Sequence, residues 1–187
     1  MGKFLFHIAR CKIMGSFVGL IFAYFPFLVP VKKIMQNKKA VAFKHPSPAY
    51  PNHILIIPRK IARNMFCLSE EDFLGVIEMA VKIRLVFKND DSDSVVLING
   101  GKKQDVMQAH FHLFAGNIAA QKDLSKEIGN TFISSDGSDK TDKIFWEQIV
   151  SNLHNLLKQY NISETSFSMV IQFEKAFDPT AYTVYFV

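Results

Sequence analysis

Apolar and polar positions along this chain change period several times, and the changes mark out its elements. Ile54 to Ile57 is a continuous β-branched and apolar run closed by Pro58, the pattern of a central strand. Residues 31–36 and 39–44 read as two short strands joined at Asn37-Lys38, a two-residue hairpin turn. Pro46, Pro48 and Pro51 make residues 45–51 a loop. Ser69-Glu70-Glu71-Asp72 is a helix start, with a hydroxyl N-cap and acids facing the positive end of the helix. That helix should run to about Lys88, with Phe73, Ile77, Ala80 and Leu85 broadly on one face. Asn89 to Asp93 breaks it, Ser94 to Asn99 reads as a strand, and Gly100-Gly101 as a tight turn. Met107 to Phe114 reads as the next strand.

The flanks are read more coarsely. Residues 3 to about 25 have a helical pattern in which Gly15 and Gly19 share a face. Residues 118–143 are polar and read as irregular, residues 144–160 regain helical periodicity, and residues 167–173 and 182–187 read as two strands around a turn at Phe177 to Thr180. The expected organisation is therefore an N-terminal apolar helical segment (1–29), a core domain (30–116) and a C-terminal extension of helix plus hairpin (117–187). The fold class expected is α+β, with a mostly antiparallel sheet of about five strands and packed helices.

Composition narrows the partners. The chain has 187 residues, 49% of them apolar, enough for a buried core and too hydrophobic for global disorder. A net charge of +5 suits a phosphate-bearing ligand or an anionic surface, but the scattered basic residues do not argue for nucleic acid. Two cysteines without a C-x-x-C spacing give neither a disulfide framework nor a cysteine zinc site, so a reducing, cytoplasmic setting is the default. Residues 13–31 carry no charged side chain, while Pro26 and Pro30 interrupt any single helix. A helix packed on the domain is the preferred reading there. A monotopic membrane contact through residues 13–31 and a true span are the alternatives, and no cleavage pattern for a removed signal peptide follows.

The candidate chemistry lies in Gln108-Ala109-His110-Phe111-His112. In a strand, the period of two puts Gln108, His110 and His112 on one face, opposite Ala109, Phe111 and Leu113. Such a polar row is costly to bury unless it meets a ligand, a metal or itself. A metal reading needs further ligands; His53 and Asp105 could serve on paper, and nothing in their spacing recommends them. Asn99 can be read as a strand-ending residue before a turn or as part of a site, His53 as a packed histidine or a functional one, and His45 as a loop histidine or a pocket residue.

Three blocks in order carry a resemblance: Ala42-Phe43 with Pro48, Pro51, His53 and Ile54 to Lys60; Val96 to Gly101; and Gln104 to Phe114. Together they resemble the histidine-triad (HIT) superfamily over about residues 30–116. The resemblance implies a HIT-like meander, commonly a homodimer, that acts on nucleoside phosphates or phosphoramidates through a nucleotidyl-histidine intermediate. It implies His110 as nucleophile and His112 as the histidine on the phosphate oxygens. Asn99 and Gln104 would lie near the phosphate, and His53 beside the site. No metal or other cofactor is needed. The departures are Gln108 for the first histidine, Asp105 for a hydroxyl residue and His45 for an acid that commonly meets the ribose. The function expected is a HIT-type nucleotide phosphohydrolase or nucleotidyl transferase, with a non-catalytic nucleotide-binding protein as the alternative.

Overall fold

Among the described residues, eight strands, all antiparallel to their neighbours, form one sheet in the computed structural model of this chain. The structure describes residues 21, 32–86, 93–104, 106–116, 133–135, 167–173 and 182–186. In chain order the elements are β1 (Lys33–Gln36), β2 (Ala40–Lys44), β3 (Ile54–Pro58), α1 (Glu70–Val86), β4 (Ser94–Gly100), β5 (Phe111–Ala115), β6 (Ile133–Ser135), β7 (Phe167–Phe173) and β8 (Tyr182–Phe186). Their order across the sheet is β1-β2-β3-β5-β4-β7-β8-β6.

The α+β class and the antiparallel sheet are as the hydrophobic pattern indicates, but the sheet is larger than the five strands expected. β7 pairs along all of β4, from Ser94 opposite Phe173 to Gly100 opposite Phe167, so the C-terminal strands continue the core sheet. β6 falls in a stretch that reads as irregular; three residues are too few to show a period. The helices expected at 3–25 and 144–160, Gly15, Gly19 and the apolar run 13–31 lie outside the described residues, apart from position 21. Among the described residues no helix is long and apolar enough to cross a membrane.

Local chemistry sets the turns. The Asn37 side-chain oxygen accepts hydrogen bonds from the backbone N–H of Lys39 (2.8 Å) and Ala40 (2.7 Å), closing the β1–β2 hairpin. Asn52 takes a positive φ of 50° just before β3, a conformation asparagine tolerates better than most side chains. Ser69 caps α1: its hydroxyl accepts from the Asp72 N–H at 3.2 Å and donates to the Asp72 carboxylate at 2.6 Å. Burial alone would raise the Asp72 pKa, but hydrogen bonds from Ser69, Lys60 and Lys39 hold it below the usual value.

The alternation of the strands separates two faces. Ala40, Ala42, Ile54, Ile56, Val96, Ile98, Phe111, Leu113, Met169 and Ile171 pack with Phe73, Val76, Ile77, Met79, Ala80 and Ile83 of α1 in the main core. Val41, Phe43, Leu55, Ile57, Val95, Leu97, Phe114 and Val170 point the other way and are buried too. This second face carries the histidines.

Candidate functional site

Register brings four imidazoles together from three separate segments. His112, on β5, stands between Leu55 of β3 and Leu97 of β4. His53 directly precedes β3, on the same face by parity. His45 follows β2 and donates its backbone N–H to the His53 carbonyl at 2.9 Å, which places the two residues side by side. His110 lies just before β5. The His110 and His112 ring centroids are 5.0 Å apart, those of His53 and His112 are 5.2 Å apart, and His45 stacks on His53 at 4.0 Å with planes 4° apart. Tyr50 and Phe114, themselves stacked at 4.1 Å, meet the His53 ring edge-on.

The strand expected over 107–114 begins only at Phe111, so Gln108, His110 and His112 do not form one continuous strand face. Gln108 is 1% exposed and its side chain turns into the fold. Its amide oxygen accepts from the Ala62 N–H at 3.3 Å, and its amide nitrogen donates to the Lys60 carbonyl at 3.1 Å. Polar atoms buried this deeply need partners, and the loop after β3 supplies both. Gln108 reaches His110 through its backbone: its carbonyl oxygen lies 2.8 Å from His110 Nδ1.

Hydrogen-bond polarity now fixes the tautomers. A carbonyl oxygen only accepts, so His110 Nδ1 carries a proton, and in the neutral ring Nε2 bears the in-plane lone pair. His53 Nδ1 accepts from the Ala49 N–H at 3.3 Å, so neutral His53 is protonated on Nε2. That nitrogen lies 3.0 Å from His112 Nδ1 and donates to it. Neutral His112 therefore carries its proton on Nε2. Burial and the neighbouring His45 push His53 down to about 4, and burial with His110, His53 and His45 pushes His112 down to about 2. Both rings are neutral near pH 7. Two histidines at i, i+2 are thus set to opposite roles, one an acceptor through Nε2 and the other a donor.

The remaining candidates divide. Asn99, next to last in β4, lies on the same face, and Ser168 of β7 donates its hydroxyl to Asn99 Oδ1 at 2.7 Å, which leaves the Asn99 amide nitrogen as its donor end. Ser168 is not legible as a site residue in the sequence because nothing local links it to Asn99; only the register of β7 on β4 does. Gln104 turns its amide nitrogen to the carbonyls of Arg63 and Val106, both at 2.6 Å. Asp105 lies outside the described residues.

The ring nitrogens of His45, His53 and His112 lie within 4.8 Å of one another. They do not make a metal set as placed. An ion binds imidazole along an in-plane lone pair, and the parallel planes of His45 and His53 have no point in common. The Nδ1 atoms of His45 and His53 also face backbone N–H groups, of Ser47 at 3.1 Å and Ala49, where a metal-bound imidazole needs an acceptor.

The model of the HIT domain matches residues 28–118. An uncharacterized HIT-like protein of Buchnera aphidicola subsp. Baizongia pistaciae is 30% identical over 94 residues, which cover 48% of this chain and 84% of that protein. The chain belongs to the HIT family. A second uncharacterized HIT-like protein, from Chlamydia trachomatis, is 29% identical over 94 residues, covering 48% of this chain and 85% of its own length. Beyond the HIT domain, the yeast Ap4A phosphorylase Apa2, solved in complex with Ap4A, has a TM-score of 0.57 at 12% identity, over 87% of this chain and 63% of that one. At that identity the likeness is one of fold. It reaches past the HIT domain, in keeping with the added strands β6 to β8.

Proposed function

We propose that this HIT protein is a nucleotide phosphohydrolase or nucleotidyl transferase that works through a nucleotidyl-His110 intermediate. The observation that carries the reading is the pair of opposite tautomers. His110 Nε2 would attack the α-phosphorus of a nucleoside phosphate or phosphoramidate, forming an N–P bond as the bond to the leaving group breaks. His112 Nε2–H and the Asn99 amide would donate to the equatorial oxygens, where charge spreads in the transition state. The Gln108 carbonyl would hold the His110 tautomer. In a second step water or another acceptor would take the nucleotidyl group and restore His110. The fold shared with a phosphorylase solved with Ap4A is in keeping with a nucleotide ligand.

The test is turnover of adenylyl anhydrides and phosphoramidates by wild type and His110→Ala, with acid-quench trapping of a phosphorus–nitrogen adduct. Loss of both adduct and turnover in the variant is expected; unchanged turnover rejects His110 as nucleophile. A second reading, a nucleotide-binding protein without turnover, is favoured by Gln108, whose amide is spent inside the fold and brings no third imidazole to the pocket. Nucleotide that raises the melting temperature with no product formed would select it. The homodimer implied by the resemblance belongs to this proposal, and light scattering reads it.

A further inference from the structure

The proposed chemistry uses His110 and His112, with His53 behind them, and gives His45 no task. His45 sits half-buried at the rim of the same cluster. Its ring stacks on His53, its centroid is 5.8 Å from that of His112, and residues 46–49 of the loop that follows are exposed. Its Nδ1 accepts from the Ser47 N–H at 3.1 Å, so the neutral ring carries its proton on Nε2 and is a donor at that end. Burial lowers the His45 pKa, so the ring is neutral near pH 7; an anion beside it would offset that cost and favour the imidazolium. Among the described residues, the titratable side chains that act on His45, His53 and His112 are imidazoles. Glu71 and Asp72, at the start of α1, are engaged by Lys39 and Lys60, and α1 packs on the other face of the sheet. A second anion at the rim therefore meets a donor that can become a cation.

Position says which part of a nucleotide would reach this ring. In an in-line displacement at the α-phosphorus, His110 and the leaving group take the apical positions, and His112 serves an equatorial oxygen. His45 meets His112 and His53, the pair on the equatorial side, and so borders an equatorial substituent rather than the leaving group. One equatorial substituent is the ester oxygen that leads to the ribose. A carboxylate suits free ribose hydroxyls, which donate to it, whereas a cationic donor accommodates a phosphorylated ribose, an exchange that dinucleotide sites also make. We propose, on the strength of the nucleotide reading above, that His45 forms a second anion subsite selecting nucleotides with a phosphomonoester at the 2′ or 3′ position of the ribose. His45 acts there in binding and adds no chemical step.

The experiment is calorimetric titration of the full chain near pH 7 with AMP, ADP, adenosine 2′,5′-bisphosphate and adenosine 3′,5′-bisphosphate. The better bisphosphate is expected to bind about tenfold or more tighter than AMP, the size of effect a charge-assisted hydrogen bond gives. It should also bind tighter than ADP, which carries its second phosphate along the chain instead. Comparing the two bisphosphates tells which ribose hydroxyl carries the group. His45→Asp should abolish or invert the preference by repulsion, with AMP affinity little changed. His45→Gln, an uncharged donor, should keep part of it and controls for folding. The bisphosphate should also take up more protons than AMP does, read from titrations in two buffers, and His45→Gln should remove that excess. Bisphosphates no tighter than AMP, or ADP as tight as the better bisphosphate, overturn the proposal. So does a preference unmoved by His45→Asp in a variant that melts like His45→Gln, or an excess uptake that survives His45→Gln. In each of these cases AMP still binds and the nucleotide reading stands. Failure of all four compounds to bind defeats that reading as well, which separates the two failures.

Discussion

Ser168 Oγ stands 2.7 Å from Asn99 Oδ1, and its proton decides which end of the Asn99 amide is the donor end. Removing the hydroxyl lets the amide turn over and present oxygen to a bound phosphate. Ser168→Ala is expected to lower kcat/KM severalfold with little change in melting temperature, and Ser168→Thr to keep most activity. Asn99→Asp, which sets a carboxylate against the phosphate, should cost about a hundredfold or more. Steady-state kinetics on all three variants, with circular dichroism as the folding control, checks this.

Gln108 is expected to act on stability before it acts on chemistry. Its side chain satisfies the Ala62 N–H and the Lys60 carbonyl, so Gln108→Ala leaves a buried N–H at Ala62 and a partly buried carbonyl at Lys60 wanting partners. The cost should be about 1–3 kcal/mol, read as the shift in a urea midpoint at constant slope. Gln108→Glu should cost more near pH 7, since a carboxylate cannot donate to the Lys60 carbonyl and a closed site penalises its charge.

Acid should weaken the fold through the histidines of the pocket. His53 and His112 titrate near 6.5 when unfolded and are held down to about 4 and about 2 when folded. The unfolded chain therefore binds more protons below about pH 6.5, and stability falls as pH drops. Stability is full above that pH and declines toward about pH 4 and below, by up to about 1.4 kcal/mol per pH unit for each group. Melting curves between about pH 7.5 and 5 should show the decline, and His53→Gln should make it shallower. A flat profile in wild type would contradict neutral burial of these rings.

The helix is pressed close to the β1–β2 turn at Gly75. A Cβ there would lie 2.6 Å from Lys39 Cβ and 2.8 Å from Lys39 Cγ, atoms near the backbone that cannot swing away cheaply. Alanine usually gains about 1 kcal/mol over glycine within a helix. Gly75→Ala should instead destabilise, by about 1–3 kcal/mol, because the overpacking outweighs the propensity. The variant should also disturb the Lys39 contacts to Glu71 and Asp72, at 2.8 and 3.4 Å. Thermal melting checks this, and Ser69→Ala, which loses the cap and the hydroxyl's bond to the Asp72 carboxylate and should cost about 1 kcal/mol, sets the scale.

The elements legible in the sequence are those with a local cause. Pro58 closes β3, Ser69 starts α1 and the apolar run at 54–57 is central, because turn chemistry, capping and burial act over a few residues. The histidine segment is legible as a polar cluster, but its alternation suggests a longer strand than the fold builds. Gln108 looks like a third group on the imidazole face because alternation alone cannot show where the strand begins. Its partners, 46 and 48 residues away in sequence, decide its direction. The stack of His45 on His53 and the link from Ser168 to Asn99 depend on register between strands, which no single segment encodes.

The ladder between β4 and β7 runs through seven residue pairs. A fragment cut after Gly116 would strip that partner away and turn β4 from an interior strand into a bare edge, with Val95 and Val96 beside unpaired backbone groups. Such edges recruit other chains. Excising the HIT-matching stretch as a minimal unit should therefore yield a sticky, aggregating product, and expression of the histidine-bearing half depends on carrying its C-terminal strands along.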